Sequence, residues 1–293
     1  MKIKAKRLLS LVVTFVMAVT IMSMCMVNLT VGAAEENRAT YNGFKKYSLK
    51  YGNETYSGYA LVPEEEGQYP VHVIYCGTGG LQRWTTYKFD KRYQKWVNNG
   101  YVKPAIIIMP GVARNGQKYD SGVAGWEFEL TVRYQLGTLK EALLKTDFGN
   151  KIDASKDISI SGYSMGGAAA LLTGSLYPNL YPHIGAFSAS HTYYSSSDNT
   201  AWVRNKKEVV FSKSSRARRL LSYSKGEGDL CKNSAKLYDS VTRQNGYSFK
   251  HYITKGYGHN VDLFYRQIFN YLYYLDHNLI LSDKQLDAMD YKI

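Results

Sequence analysis

The chain has 293 residues, 45% of them hydrophobic and 14% aromatic, a composition that excludes a disordered or fibrous protein and supplies enough apolar surface for one large core. Lys and Arg number 37 against 24 Asp and Glu, a net charge of +13, and such a field favours anionic surfaces such as acidic polysaccharide or cell wall without specifying any chemistry. Three cysteines are too few for a disulfide framework, and their spacing is not that of a zinc site.

Lys2, Lys4, Lys6 and Arg7 precede an apolar run from Leu8 to about Val27, and the small residues of VGAAEEN (Val31 to Asn37) follow. This is the pattern of a secretory signal peptide, residues 1–34, with cleavage after Ala33 or Ala34. The competing reading is an uncleaved anchor, because the run approaches the roughly 20 residues that span a bilayer. Cleavage leaves 33 Lys and Arg against 24 Asp and Glu, a net charge of +9. The expectation is an exported chain with one domain over residues 35–293 and no stable membrane insertion. Cys25 leaves with the signal, and Cys76 and Cys231 can form one bridge or remain two thiols.

Phe44 to Glu64 reads as two strands around a Gly52-Asn53 turn. Tyr69 to Gly80, YPVHVIYCGTGG, is a continuous apolar strand ending in glycines, as expected when helices cover both faces of a sheet. Thr85 to Gly100 has a helical pattern, and Lys103 to Gly111 is a second buried strand. Gly125 to Gly149 carries apolar residues at helical spacing and leads into ISISGYSMGGAAALL (Ile158 to Leu172), a strand followed by a small-residue helix. His183 to Ser190, Arg219 to Asp229 and Phe249 to Asn260 each read as a strand with a loop after it, and Val261 to Leu279 as an amphipathic helix. Strands alternating with helices predict an α/β fold: a mostly parallel central sheet, helices on both faces, and an antiparallel N-terminal edge. The basic cluster Val203 to Arg219 sits in no nucleic-acid module and reads as a solvated face; no nucleic-acid partner is expected.

Gly162-Tyr163-Ser164-Met165-Gly166 has the form G-x-S-x-G at the point where a buried strand becomes a helix. In that context the turn is a nucleophile elbow, which holds the serine strained and exposed above the sheet edge. The competing reading is a serine that only permits a tight turn. A serine hydroxyl needs a base, and the chain order nucleophile, acid, histidine favours a late histidine. Of the six histidines, His259 falls in the loop after the last strand; His251 lies inside a strand and His277 at a helix end. His72 and His183 read as structural, and His191 as a loop residue. The acid that orients the imidazole should follow a preceding strand: Asp229 suits the position, Glu227 is the alternative, and Asp239 and Asp262 read as surface charges on helices. The oxyanion donors expected of this arrangement are the Met165 N–H and an N–H from the CGTGG loop, at Gly77 or Thr78. Trp84, Trp126 and Trp202 are candidate substrate contacts, although most of the 27 tyrosines read as core.

GYSMGG, CGTGG after a buried strand, GEGD, and GHN before a final helix together resemble the esterase D and feruloyl-esterase branch of the α/β-hydrolase superfamily, which includes bacterial mycolyltransferases. The resemblance runs from about Tyr41 to about His277. It departs from the family where the usual His-Gly of the oxyanion loop is Cys76-Gly77, and Val203 to Arg219 matches nothing in it. It implies Ser164 as nucleophile, His259 as base, Asp229 as orienting acid, and Thr78 with Met165 as oxyanion donors, with no metal or organic cofactor. The implied activity is a secreted serine carboxylesterase acting on feruloyl or acetyl esters of polysaccharide. Acyl transfer to a cell-wall sugar and a non-catalytic surface-binding role are the alternatives.

Overall fold

The computed structural model describes residues 39–51, 54–77, 82–114, 139–176, 180–189, 220–229 and 248–292. Among them are strands β1 (Lys45–Tyr51), β2 (Glu54–Leu61), β3 (Val71–Tyr75), β4 (Ile106–Arg114), β5 (Ser159–Tyr163), β6 (His183–Phe187), β7 (Leu220–Gly226) and β8 (Ser248–Thr254). The helices are α1 (Gln82–Thr86), α2 (Phe89–Asn98), α3 (Leu139–Leu143), α4 (Met165–Leu176), α5 (Val261–His277) and α6 (Asp283–Asp287), with a 3-10 turn at Gly149–Lys151. The expected signal segment, the expected Gly52-Asn53 turn, Thr78, His191, Cys231, Asp239, Trp126, Trp202 and Val203 to Arg219 lie outside the described residues, as does most of the expected helix from Gly125.

The strands form one sheet in the order β1-β2-β4-β3-β5-β6-β7-β8. β1 pairs antiparallel with β2 and β2 with β4, while every pairing from β4 to β8 is parallel. The predicted α/β class with an antiparallel N-terminal edge is the observed one. Side chains alternate across the sheet because the strand period is two. Val71, Val73, Tyr75, Ile106 and Ile108 enter one core with Ala168, Ala169 and Ala170 of α4. Ile74, Ile107 and Met109 enter a second with α2 and α5. Both faces are therefore covered, which explains why these strands read as unbroken apolar runs rather than as alternating ones.

Two elements differ from the sequence reading. The helix expected over Thr85 to Gly100 is broken at Lys88, which adopts a left-handed conformation (φ 52°, ψ 46°). On one straight helix Trp84 and Phe89, five residues apart, would point about 140° from each other. The break lets both be buried, with ring centroids 4.9 Å apart. The C-terminal α6, absent from the sequence reading although Ser282 and Gln285 form a capping box at its start, is held by Arg266 of α5. Its guanidinium donates to Asp283 Oδ1 at 2.8 Å, Asp287 Oδ1 at 2.7 Å and Tyr291 Oη at 3.0 Å. A buried cation with this many charge-assisted bonds fixes the tail against the helix.

His72, Ser159 and His183 lie side by side on β3, β5 and β6, at the sheet end opposite the elbow. His72 Nδ1 is 2.6 Å from Ser159 Oγ. Burial lowers the pKa of His72 to about 4, with the neighbouring His183 adding to the effect, and burial also lowers that of His183. A histidine whose folded pKa is depressed stays neutral while its unfolded form takes up a proton, so stability is full above the unfolded value and falls as the pH drops toward the folded one. Unfolding free energy is expected to fall by roughly 2–3 kcal/mol between about pH 6.5 and pH 4. Urea unfolding of wild type and His72→Gln across that range checks it, since the variant should lose most of the His72 share of the slope.

Candidate active site

β3 is the turning point of the sheet: β4 lies on one side of it and β5 on the other. Ligand sites in open α/β sheets form outside the carboxyl ends of strands where the order reverses in this way. The two glycine-flanked loops read from the sequence, after β3 and after β5, meet there.

Ser164 occupies the turn between β5 and α4 with φ 58°, a left-handed conformation that costs a non-glycine residue of order 1 kcal/mol and persists only where the surroundings enforce it. Here they do. The Ser164 N–H donates to the Phe187 carbonyl at 2.9 Å, and the Ser164 carbonyl accepts from the Ala168 N–H at 3.2 Å, starting α4. Gly166 is required by close approach: a Cβ there would lie 2.5 Å from the carbonyl oxygens of Tyr75 and Cys76. At Gly162 it would lie 2.3 Å from the Gly166 carbonyl oxygen. Gly166→Ala is therefore expected to cost at least about 3 kcal/mol, because the obstructing atoms are backbone and cannot rotate away. A thermal melt of the purified variant, or its absence from the soluble fraction, checks this.

Asp229 follows β7 and is 1% exposed. Its Oδ2 accepts from the Gly226 N–H at 3.3 Å, and its Oδ1 lies 2.9 Å from His259 Nδ1. An ionised carboxylate only accepts, so Nδ1 carries the proton and the neutral ring keeps its lone pair on Nε2. Glu227 is exposed and accepts instead from the Gly256 N–H at 3.3 Å. Asp262 is exposed in the first turn of α5. His251 lies within β8 and His277 at the end of α5.

Ser164, His259, Gly77 and Cys76 line a common cavity of about 480 Å³. Gly77 sits against the Ser164 turn, where an added Cβ would come within 3.0 Å of the Ser164 Cβ and 3.6 Å of its Oγ. Met165 is the first residue of α4, directly after Ser164. Thr78, the other expected donor, lies outside the described residues. Burial raises the pKa of the Cys76 thiol to about 12, so this free cysteine is protonated at neutral pH and is no competing nucleophile. Trp84, a candidate substrate contact, stands on α1 at 1% exposure in the cavity wall.

Several residues at the site escaped the sequence reading, Arg83, Tyr87 and Phe264 of the cavity wall among them; two more bind the loops together. Tyr163 stacks on the His259 ring, with centroids 4.7 Å apart at 28°, and its hydroxyl donates to the Asn260 carbonyl at 3.1 Å. It ties the Ser164 turn to the loop of His259 across 97 positions of sequence, a contact that no local pattern encodes. Asn260 caps α5, its side chain accepting from the Leu263 N–H at 3.0 Å. That role was readable from an Asn directly before an apolar helix.

A family model described as "Putative esterase" matches residues 50–271. No curated protein matches. Among solved structures, a ferulic acid esterase is similar with a TM-score of 0.64 at 17% identity, over 83% of this chain and 100% of that one. A ferulic acid esterase from Anaeromyces mucronatus, solved with ferulic acid, has a TM-score of 0.62 at 15% identity over 80% and 90% of the two chains. S-formylglutathione hydrolase from Staphylococcus aureus has a TM-score of 0.57 at 9% identity over 81% and 97%. At these identities the likenesses show the fold, which is that of α/β-hydrolase esterases.

Proposed function

The chain belongs to this esterase family and is a carboxylic ester hydrolase, and from that premise we propose that it works through an acyl-enzyme on Ser164, with His259 as general base and Asp229 as orienting acid. The observation that carries the reading is the strained Ser164 sharing a cavity with an imidazole whose other nitrogen is bound to a buried carboxylate.

The chemistry follows from the protons. Ser164 Oγ attacks the ester carbonyl while His259 Nε2 takes its proton, and Asp229 stabilises the imidazolium through Nδ1. Charge develops on the carbonyl oxygen, where the Met165 N–H and an N–H of the loop beginning at Gly77, from Gly77 or Thr78, act as donors. His259 returns the proton to the leaving alcohol, and the same base activates water to release the acid.

The proposed substrates are feruloyl or acetyl esters of polysaccharide, met outside the cell after removal of residues 1–34. An aromatic cavity wall of Trp84, Tyr87 and Phe264 suits an aryl or sugar face, and two of the similar structures are named as ferulic acid esterases. Turnover of methyl ferulate and 4-nitrophenyl acetate by the protein lacking residues 1–34, with labelling by a fluorophosphonate, is the expected result. A folded protein that neither turns over an ester nor takes the label overturns the reading and favours a binding protein. Transfer of the acyl group to an added sugar in preference to water would replace hydrolysis by acyl transfer.

A further inference from the structure

The cavity at Ser164 has an uneven charge. Arg83 carries the one permanent charge among the described residues that line it, and no Asp or Glu is among them. The rest of the wall is aromatic or aliphatic apart from Ser164, His259, Asn260 and the Cys76 thiol. Arg83 forms no ion pair with any described residue. It is held in place by a neutral partner one helical turn on: its Nη1 donates to the Tyr87 hydroxyl, and its guanidinium carbon stands 5.6 Å from the centre of the Tyr87 ring. Tyr87 is fixed in turn, because its backbone carbonyl accepts from the Tyr265 hydroxyl at 3.0 Å. A guanidinium has five N–H donors, and among the described residues the one bond to Tyr87 leaves most of the fork unused. Arg83 lines the same cavity as Cys76, Gly77 and Ser164.

We propose that Arg83 selects esters that carry a carboxylate, pairing with it at the rim of the cavity while the ester carbonyl lies at Ser164. The inference rests on the esterase reading of the same site. A planar carboxylate matches the guanidinium fork, and a charge-assisted bond beside apolar walls is stronger than one in open water. The carboxylate can belong to either half of the substrate: to the acyl group, as in the half-ester of a dicarboxylic acid, or to the alcohol, as in a uronic acid of an acidic polysaccharide.

Paired substrates separate these sources. On the acyl side, mono-4-nitrophenyl adipate is compared with 4-nitrophenyl hexanoate; on the alcohol side, 4-acetoxybenzoate with 4-acetoxybenzamide. The expected result is a kcat/KM about tenfold higher for the acid than for its neutral counterpart in one pair, which identifies the half that Arg83 reads. Arg83→Gln should reduce that ratio to near one and Arg83→Lys should keep part of it, whereas Lys91→Gln, on the exposed side of α2, removes the same charge from the protein and should keep all of it. Equal kcat/KM within both pairs overturns the proposal, as does a preference that survives Arg83→Gln. No turnover of any of the four esters, without fluorophosphonate labelling, would instead mark failure of the esterase reading itself.

Discussion

Ser164→Ala is expected to lower kcat for 4-nitrophenyl acetate by about 10⁵-fold or more, leaving only what the proposed oxyanion donors and binding would contribute without a nucleophile. The fold should survive. Alanine meets the same cost at φ 58° as serine does, and the bonds that hold the turn, from Ser164 N–H to Phe187 and from Ala168 N–H to the Ser164 carbonyl, are made by backbone. An unchanged melting temperature with lost activity and lost fluorophosphonate labelling is the expected set. Activity within tenfold of wild type would move the nucleophile to another residue.

Asp229→Asn is expected to lower kcat by about 10⁴-fold, the scale seen when the orienting acid of a serine hydrolase is made neutral. The direction comes from the hydrogen bonds of Asp229. Its Oδ2 receives the Gly226 N–H, so an asparagine must turn its carbonyl oxygen to that donor. Its amide NH₂ then faces His259 Nδ1, where Oδ1 was. The ring is driven into the tautomer with the proton on Nε2, which cannot accept one from Ser164. Glu227→Gln, two positions earlier, should stay within about twofold of wild type, because among the described residues that exposed side chain bonds only to the Gly256 N–H in a turn. Rates of both variants between pH 6 and 9 decide the matter. The opposite ranking would transfer the acid role to Glu227.

The sequence left those two carboxylates in competition. They stand two residues apart after the same strand, both chemically competent, and nothing local says which one is buried. The sheet decides it by setting the end of β7 beside the loop that carries His259, so that the residue at 229 faces inward. The Lys88 break had the same origin: the periodicity of Thr85 to Gly100 is helical throughout, and only the need to bury both Trp84 and Phe89 interrupts it. The α6 clamp likewise depends on Arg266, 17 positions from Asp283.

What the sequence determined by itself were the features written in local order: apolar runs too continuous for a one-sided sheet, an antiparallel pair before them, and a serine between glycines where a strand turns into a helix. Backbone sterics and side-chain period act over a few residues, so they can be read from a few residues. The tertiary structure alone decided the burial of Asp229 rather than Glu227 beside His259, the stacking of Tyr163 on that ring, and the placing of Arg83 at the cavity of Gly77 and Ser164. These contacts join elements that are distant in sequence. They exist because the strand order reverses at β3, a property of the whole sheet.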